Sequence, residues 1–392
     1  MKILITTDWY SPAVNGVVTS VKNLRRGLEA RGHEVRILTL SHDHHAREGD
    51  GVSYLGSVPA GLIYPGARLR TPMVRRSVQE LVDWQPDVVH SQCEFSTFFL
   101  ARRIAEYLNI PLVHTYHTVY EDYTHYFSPS VRFGKKAVAV FSRWVAAQTD
   151  CLIAPTGKVR QLLLDYGVDR PVFVVPSGID LSRFGGEPDA LRQAVLRQSL
   201  GIPRENRILV SVGRLAEEKN IAELLQMRAS LGEAPVTLLI VGDGPDRARL
   251  EGIAAGLGLT APAVVFAGMV EPAQVADWYQ LGDLFVSAST SETQGLTYIE
   301  ALAAGTPALC RADPCLAGVL REGENGWQYR DAADFRRKLA DFIAHPERRE
   351  SLSAAARRSV EPYSVEYFAE SAEDIYRQQI LRRRGEIREV SA

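Results

Sequence analysis

Two series of short apolar runs, each run followed by an amphipathic segment, constrain the fold of this chain more than any other feature. The runs of the first series lie at 2–6, 35–40, 87–90, 112–114, 151–154 and 172–175. The second series starts after a polar stretch, with runs at 208–212, 236–241, 264–266 and 284–287. Strands that alternate with helices at this spacing form right-handed βαβ units with parallel strands. The sequence therefore predicts an α/β protein with two parallel sheets.

The length of 392 residues exceeds what one hydrophobic core usually serves, which supports a division into two domains. Hydrophobic residues make up 46% of the chain and charged residues 23%, which is typical of a chain that folds throughout. We expect Rossmann-like domains at 1–180 and 181–361, with their sheets facing across a cleft. Because parallel sheets bind ligands beyond the carboxyl ends of their strands, candidate site residues are sought directly after the strands.

Composition and charge argue against several classes of protein. The formal net charge of -2 gives no overall attraction for nucleic acid. The cysteines lack the paired spacing of a zinc site or a disulfide framework, which favours a reducing cytoplasm. They are Cys93, Cys151, Cys310 and Cys315. The start of the chain turns polar too soon for a secretion signal, and no apolar stretch approaches the roughly 20 residues of a bilayer span, so membrane contact is expected to be peripheral.

The loop after the run at 112–114 is dense in titratable and aromatic groups. His114, His117, Tyr120 and Tyr123 fall within ten residues. No strand or helix interior needs this density, which favours a binding loop. His114 is suited to hydrogen-bond a sugar hydroxyl or to help carry a proton. The structural alternative, for His114 and His117 alike, is a histidine satisfied at the end of a strand.

The second domain opens with a strand, Gly213, and the two cations Arg214 and Lys219. A diphosphate that leaves as an anion needs its developing charge neutralised, and an Arg with a Lys can supply this without a metal. An isolated Arg and Lys would more often form a solvated surface pair. Their position after a strand and a glycine favours a phosphate site.

A second candidate phosphate contact is Gly16, at the start of the first amphipathic helix. Glycine lets the backbone approach a ligand, and the free amides of a helix start attract phosphate; the alternative is an ordinary turn. This loop lacks the GxGxxG pattern of nicotinamide and flavin enzymes. Gly242 and Gly244 begin a similar pattern, but Arg247 stands where it requires a small residue.

The segment 291–307 carries two carboxylates, Glu292 and Glu300, around a glycine turn that opens a helix. Backbone amides near Gly295 are suited to phosphate oxygens, Glu292 to sugar hydroxyls and Glu300 to a ribose diol. Paired glutamates also act as general acid and base in glycosidases. Their place on one loop and helix, instead of on facing walls, counts against that alternative.

With these residues assembled, the chain resembles the retaining glycosyltransferases of family 4 over nearly its whole length. The resemblance rests on a set of motif positions: Gly213, Arg214, Lys219, Glu292, Glu300 and the segment 176–180. Seven residues separate the two glutamates, as in the family. The family has the GT-B fold, a pair of Rossmann-like domains whose last helix returns to the first. The resemblance therefore implies that residues 362–392 pack on domain 1–180.

The resemblance also implies roles at the donor site. Arg214 and Lys219 would hold the donor diphosphate, with Gly16 close by, and Glu300 would hold the ribose. His114 would contact the transferred sugar near the acceptor. The same sugar would be held by Glu292 and by the backbone of Thr293, Gln294, Gly295 and Leu296. Met269 and Val270 match the place where the family holds the base through backbone groups. This implies a uridine diphosphate sugar as donor and no tightly bound cofactor.

Two runs narrow the resemblance, 114–123 and 311–320, which are similar to those of bacterial transferases that act on 1,2-diacylglycerol. The second run has Asp313 and Pro314 where many members have Gly-Gly. The implied reaction transfers glucose from UDP-glucose to the free hydroxyl of diacylglycerol, giving an α-monoglucosyl lipid. The acceptor side would include His117, Tyr120 and Tyr123.

A lipid acceptor requires contact with an anionic membrane, expected here at the inner face of the cell membrane. The segment 131–144 combines basic and aromatic groups at helical spacing, as helices that lie on anionic lipid do. Its stripe of Val138, Phe141 and Val145 would serve equally as a buried face. A second basic cluster either contributes or is solvated surface; it contains Arg68, Arg70, Arg75 and Arg76.

Three other functions stay open. A family 4 transferase for a soluble or cell-wall acceptor would not need lipid for activity. A nucleotide-sugar epimerase of the same fold would consume the UDP-sugar without an acceptor. A non-catalytic sensor of nucleotide sugars would have no need of the complete set of charged motifs. Weak metal dependence is expected for this protein, because Asp313 has no partner carboxylate for a DxD-type site.

Overall fold

A computed structural model describes the chain in five ranges, 1–13, 15–60, 68–71, 75–121 and 131–386. Tyr123 lies outside them. The described chain divides into two compact units. Unit 1 is Met1–Ile179 together with the chain from Val365 onward, and unit 2 is Asp180–Ser364.

The strands of unit 1 are β1 Lys2–Thr6, β2 Glu34–Leu40, β3 Arg47–Gly49, β4 Val52–Leu55, β5 Ser57–Pro59, β6 Arg68–Arg70, β7 Val88–Ser91, β8 Leu112–Thr115, β9 Cys151–Ala154 and β10 Val172–Val174. Those of unit 2 are β11 Arg207–Val212, β12 Val236–Val241, β13 Val264–Gly268, β14 Leu284–Ser287, β15 Ala308–Arg311 and β16 Gly326–Tyr329. Every apolar run of the sequence corresponds to one of these strands.

The α-helices are α1 Gly16–Ala30, α2 Arg75–Asp83, α3 Ser96–Leu108, α4 Val131–Ala147, α5 Gly157–Asp165, α6 Ala190–Ser199, α7 Ile221–Ala229, α8 Arg247–Gly256, α9 Val275–Leu281, α10 Leu296–Ala303, α11 Ala332–Ala344, α12 Arg349–Ser359 and α13 Val365–Arg383. Of the helices that the structure describes, none is long and apolar enough to span a membrane. All four cysteines are buried free thiols.

Unit 1 is built on an eight-stranded sheet in the order β10-β9-β8-β7-β1-β2-β4-β3. The ladder is parallel except at β3 and β4, which pair antiparallel, and β5 and β6 form a separate antiparallel pair. The sequence analysis predicted the parallel ladder but not these antiparallel pairs. These short strands carry no apolar run, because β3 is exposed throughout and β6 has two arginines in three residues. The order reverses between β1 and β7, since the chain runs outward on both sides from there.

Helix α1 packs on this sheet and receives α13. The Asn15 side chain caps its start by accepting a hydrogen bond from the Val18 N–H at 2.9 Å. A Cβ on Gly27 would lie 2.7 Å from Cβ of Ala369 in α13, so glycine permits the close approach of the two helices. Arg31 adds an ion pair to Glu373 at 2.5 Å. Residues after 364 therefore complete unit 1.

The neighbours of Glu373 stabilise its ionised carboxylate. Although burial raises the pKa of this carboxyl, hydrogen bonds from Arg31, Arg377 and His33 lower it to about 2. The hydroxyl of Tyr376, one turn further along α13, lies 2.6 Å from Nδ1 of His90 at the end of β7. Helix α13 is thus joined to the core of unit 1 by charged and polar contacts as well as by apolar packing.

Unit 2 contains a parallel six-stranded sheet in the order β13-β12-β11-β14-β15-β16. The sequence did not predict its last two strands. The core beneath it includes Leu238, Ile240, Leu309 and Phe335, all nearly inaccessible to solvent. The strand order reverses between β11 and β14, which makes the loops after these two strands the expected ligand-binding place of the sheet.

Candidate active site

The loops after β11 and β14 meet at this reversal point of unit 2. Lys219 follows β11 and Glu292 follows β14, and Nζ of Lys219 lies 2.5 Å from Oε1 of Glu292. The hydroxyl of Ser291 donates to the carbonyl oxygen of Glu218 at 3.1 Å, which adds a second tie between the loops. A cation and a carboxylate from two different motifs therefore lie side by side. The cation is suited to a diphosphate and the carboxylate to sugar hydroxyls.

Arg214 lies on the same loop as Lys219 but extends into solvent. Its Nη2 is 3.9 Å from Oε1 of Glu218, and about half of its side chain is exposed. An exposed ion pair at this distance holds a side chain weakly. The guanidinium is therefore available to a diphosphate, whereas Lys219 is already oriented by Glu292.

Gly242 and Gly244 determine the shape of the Arg214 loop. They are the two glycines that resemble an incomplete nucleotide-binding motif in the sequence. A Cβ on Gly242 would lie 1.9 Å from the carbonyl oxygen of Gly213, and one on Gly244 would lie 2.2 Å from that of Leu215. Gly213 itself has φ 151°, a left-handed value that favours glycine. Close backbone contact between the ends of β11 and β12 thus fixes the loop, and only glycine fits.

Helix α10 begins at this site with a glycine as its N-cap, which has no side chain to bond the first amides. Its N-cap, Gly295, has φ 73°, and a Cβ there would lie 2.4 Å from the ring of Tyr298. The first amides of a helix attract anions. The neighbouring predicted contacts, Thr293, Gln294 and Leu296, are half-buried or buried around this turn.

Glu300, on the buried side of α10, has a partner of its own. The Tyr279 hydroxyl donates to Oε2 of Glu300 at 2.7 Å. Burial raises the pKa of Glu300, while the bond from Tyr279 and the charge of Arg183 lower it. Glu292 and Glu300 therefore have separate partners, Lys219 and Tyr279, which gives no support to an acid and base pair of the glycosidase kind.

Met269 and Val270 follow β13, beside the Gly242 loop. The Gly242 N–H donates to the carbonyl oxygen of Gly268 at 2.8 Å, which sets the end of β13 against the end of β12. Met269 is largely exposed and Val270 half-buried. Their role in holding a base stays a prediction.

In unit 1, His114 at the end of β8 contacts a carboxylate that sequence reasoning missed. Nε2 of His114 lies 3.3 Å from Oε1 of Glu94, and the Tyr120 hydroxyl donates to Oε2 of the same residue at 2.5 Å. His114 and Glu94 are both buried. Glu94 stands just after β7, so its position directly after a strand was the signal that could have found it.

A second chain of hydrogen bonds holds His117. Its Nε2 lies 2.6 Å from Oε1 of Gln92, whose Nε2 lies 3.0 Å from Nε2 of His90. Burial lowers the pKa of His117 to about 4 and that of His90 well below its usual value. Both rings are therefore neutral near pH 7, and the role of His117 on the acceptor side stays a prediction.

Asp8, directly after β1, joins this group from the other side of the reversal point. Its Oδ1 accepts from the Thr97 N–H at 2.8 Å, so Asp8 fixes the start of α3 next to Glu94. Burial raises the pKa of Asp8 to about 6, against the lowering effect of its bonds to Thr97. Gly16, the predicted phosphate contact, begins α1 after the same loop. No described group of three or more His, Cys, Asp or Glu side chains is arranged to hold a metal.

The chain is similar to known sugar transferases along nearly its whole length. The family model for Glycosyltransferase Family 4 matches residues 14–183, and that for Glycosyl transferases group 1 matches 193–359. An alpha-monoglucosyldiacylglycerol synthase of Streptococcus pneumoniae is 34% identical over 97% of this chain and 86% of its own length. One of Acholeplasma laidlawii is 34% identical over 96% of each. The chain belongs to glycosyltransferase family 4.

Solved structures show that this family 4 glycosyltransferase has the predicted GT-B fold. Sucrose-phosphate synthase from Thermosynechococcus elongatus superposes with a TM-score of 0.76 at 22% identity, covering 96% of this chain and 98% of that one. Anabaena Alr3699/HepE in complex with UDP and glucose gives a TM-score of 0.76 at 17% identity, covering 96% and 100%. The expectation of two Rossmann-like domains with parallel sheets is confirmed.

Helix α4 of the transferase buries two residues of its predicted apolar stripe and exposes other apolar residues to solvent. Val138 and Val145 are 5% and 1% exposed, so they form a buried face of unit 1. Phe133, Val140 and Trp144 are instead 75%, 57% and 37% exposed. The helix thus has apolar residues on both sides.

The basic cluster of unit 1 is partly engaged within the fold. Arg68 donates to the Ser57 hydroxyl at 2.6 Å, and Arg76 pairs with Glu80 at 3.0 Å. The side chain of Arg75 lies outside the described part of the chain. These contacts favour the solvated-surface interpretation for Arg76 and a structural one for Arg68.

Proposed function

We propose that this transferase moves glucose from UDP-glucose to the free hydroxyl of 1,2-diacylglycerol, with retention of configuration, to give α-monoglucosyl diacylglycerol. The observation that carries the donor half is the ion pair of Lys219 and Glu292 beside the start of α10, whose N-cap is a glycine. The acceptor half is supported by the names of the two relatives that are 34% identical over nearly the whole chain.

Departure of UDP is assisted by the charges of unit 2. Arg214 and Lys219 bind the diphosphate oxygens, and the first amides of α10 lie toward the same charge. Groups fixed in advance where negative charge develops stabilise the transition state without reorganisation. For this reason the proposed reaction needs no tightly bound cofactor or metal.

The remaining donor contacts hold the nucleoside and the sugar. Glu292 accepts hydrogen bonds from the sugar hydroxyls and steadies the oxocarbenium-like ring, and Glu300, oriented by Tyr279, accepts from the ribose diol. The backbone at Met269 and Val270 holds the uracil. The acceptor hydroxyl attacks from the face that the diphosphate leaves. Its oxygen bonds to the anomeric carbon as the bond from that carbon to the diphosphate breaks, and its proton passes to the departing phosphate oxygen.

The acceptor side is proposed to lie in unit 1, around His114. Its ring is fixed by Glu94, which also holds the Tyr120 hydroxyl. The loop that carries His117, Tyr120 and Tyr123 is proposed to meet the glycerol end of the acceptor. Tyr123 lies outside the described residues and enters only as a prediction from the family resemblance.

The lipid reaches this side through a proposed contact between α4 and the anionic inner face of the cell membrane. An open apolar groove of about 580 Å³ runs along the helix, lined by Phe133, Lys136, Ala137, Val140, Phe141 and Trp144. Phe95, the residue next to Glu94, stacks on Phe141 with 6.0 Å between ring centroids. The apolar surface therefore continues to the residue beside Glu94, and Lys136 on its rim suits acidic headgroups.

We expect the double substitution Phe133→Ser and Trp144→Ser to weaken binding to vesicles of phosphatidylglycerol by roughly tenfold or more, because burial of large apolar side chains is lost. Sedimentation with the vesicles measures the bound fraction. Leu191→Ser with Val195→Ser, two exposed apolar residues of unit 2, is the matched control and should bind like the unchanged protein. Equal binding of both double variants would contradict the proposed membrane contact.

The proposed reaction is tested by UDP release from UDP-glucose, with and without 1,2-diacylglycerol in mixed micelles that contain anionic lipid. We expect release only with diacylglycerol, together with a glucolipid product. Loss of UDP-glucose to another UDP-sugar without acceptor would indicate an epimerase. Binding of UDP-glucose without transfer to diacylglycerol would leave a family 4 transferase with another acceptor.

A further inference from the structure

Glu223 lies where the turn after Lys219 meets β15 and β16. Nη1 of Arg311 donates to both carboxylate oxygens of Glu223 at 2.6 Å. Nδ2 of Asn220 donates to Oε2 at 2.6 Å, and the Tyr329 hydroxyl donates to Oε1 at 3.2 Å. The side chain of Glu223 is 18% exposed. One carboxylate thus joins three separate parts of unit 2.

Asn220 connects this cluster to the candidate site. It adopts φ 50° and ψ 37°, a left-handed conformation that asparagine tolerates better than most residues, and it forms the N-cap of α7. Its N–H donates to the carbonyl oxygen of Glu217 at 3.0 Å, closing a tight turn around Lys219. The direction of the Lys219 side chain toward Glu292 therefore depends on this left-handed turn at Asn220, whose side-chain amide is held by Glu223.

Arg311 gives the cluster its link to the rest of the sheet. It ends β15 and opens the run 311–320, which the donor contacts described above do not use. Its guanidinium balances the charge of Glu223, which would otherwise lie partly buried and unpaired. Asp313, two residues on, caps the following turn by accepting from the Cys315 N–H at 2.8 Å. The run therefore braces the Lys219 turn from the far side of β14.

We propose that Glu223 is a positioning residue of the donor site, which places Lys219 at the donor diphosphate through Asn220, with Arg311 and Tyr329 holding it in turn. The proposal rests on the role proposed above for Lys219. Glu223 itself contacts no substrate. Its removal should therefore act on the donor and leave the acceptor unaffected.

The test compares UDP binding, by titration calorimetry, in Glu223→Ala, Lys219→Ala and the double variant. Because Glu223 acts through Lys219, we expect Glu223→Ala to raise the Kd of UDP by about tenfold and the double variant to match Lys219→Ala alone. KM for the acceptor should not change. Glu223→Gln, which keeps an acceptor for Asn220, should recover part of the loss. Asp341→Ala, which breaks an exposed pair with Arg348, is the control and should bind UDP normally.

The UDP binding of the single and double variants distinguishes the possible roles of Glu223. Additive losses in the double variant would overturn the proposal, since Glu223 would then act apart from Lys219. Normal UDP binding by Glu223→Ala, with weak binding by Lys219→Ala, would also overturn it but leave the donor site standing. Normal binding by Lys219→Ala would overturn the donor site and this proposal together. Should Glu223→Ala not fold, Arg311→Ala replaces it, with the same non-additivity expected.

Discussion

Lys219→Ala is expected to lower kcat for sugar transfer by about 10²–10³-fold, the usual cost of removing one fixed group that stabilises transition-state charge. Lys219 is held by Glu292 before any donor binds, so its charge needs no reorganisation when UDP leaves. Turnover measured as UDP release at saturating donor and acceptor gives kcat directly.

Two further variants decide whether the loss reflects this charge. Lys219→Arg keeps a cation on the loop and should retain more activity than Lys219→Ala. Arg337→Ala removes an exposed cation of the same unit, paired only at the surface with Asp334, and should leave kcat unchanged. A Lys219→Ala enzyme with normal kcat would contradict the proposed role of this residue.

Glu94→Ala is expected to lower kcat/KM for the acceptor by about 10²-fold, because it releases His114. This is the lower end of what a positioned side chain such as His114 contributes when it assists proton transfer. His114 and Tyr120 both bond this carboxylate in a buried place, so its removal leaves two buried polar groups without their shared partner. Initial rates over a range of diacylglycerol concentrations in micelles measure the effect.

The same variants separate the acceptor side from the donor side. Glu94→Ala should bind UDP normally, because Glu94 is not among the proposed UDP contacts. Glu106→Ala, which removes an exposed partner of Arg102 in the same unit, should behave like the unchanged enzyme. Unchanged acceptor kinetics in Glu94→Ala would show that the His114 cluster is only structural.

Most of the fold could be predicted because buried parallel strands leave apolar runs that turns and helices separate. The run 151–154 matches β9 residue for residue. β15 was missed because Ala308–Arg311 follows the alanine-rich end of α10 almost directly, so no change of period marks its start. β3, β5 and β6 were missed for the opposite reason, since they are short and mostly exposed.

The candidate site could be predicted only in part, for reasons that lie in long-range contacts. Motif positions pointed to Lys219 and Glu292 separately, while their ion pair spans 73 residues of sequence. Glu94 and Glu223 were missed because their partners, His114 and Arg311, lie on strands that are distant in sequence. Spacing along the chain does not show such contacts. Similarly, helical period predicted α4, but not which of its apolar residues face solvent.

The most direct test of the central claim is the structure of the lipid product formed from UDP-glucose and 1,2-diacylglycerol by the purified enzyme. Nuclear magnetic resonance of the isolated glucolipid reports its anomeric configuration. We expect a single glucose linked to the free glycerol hydroxyl in the α configuration. A β-linked product, or no glucolipid from an enzyme that binds UDP-glucose, would contradict it.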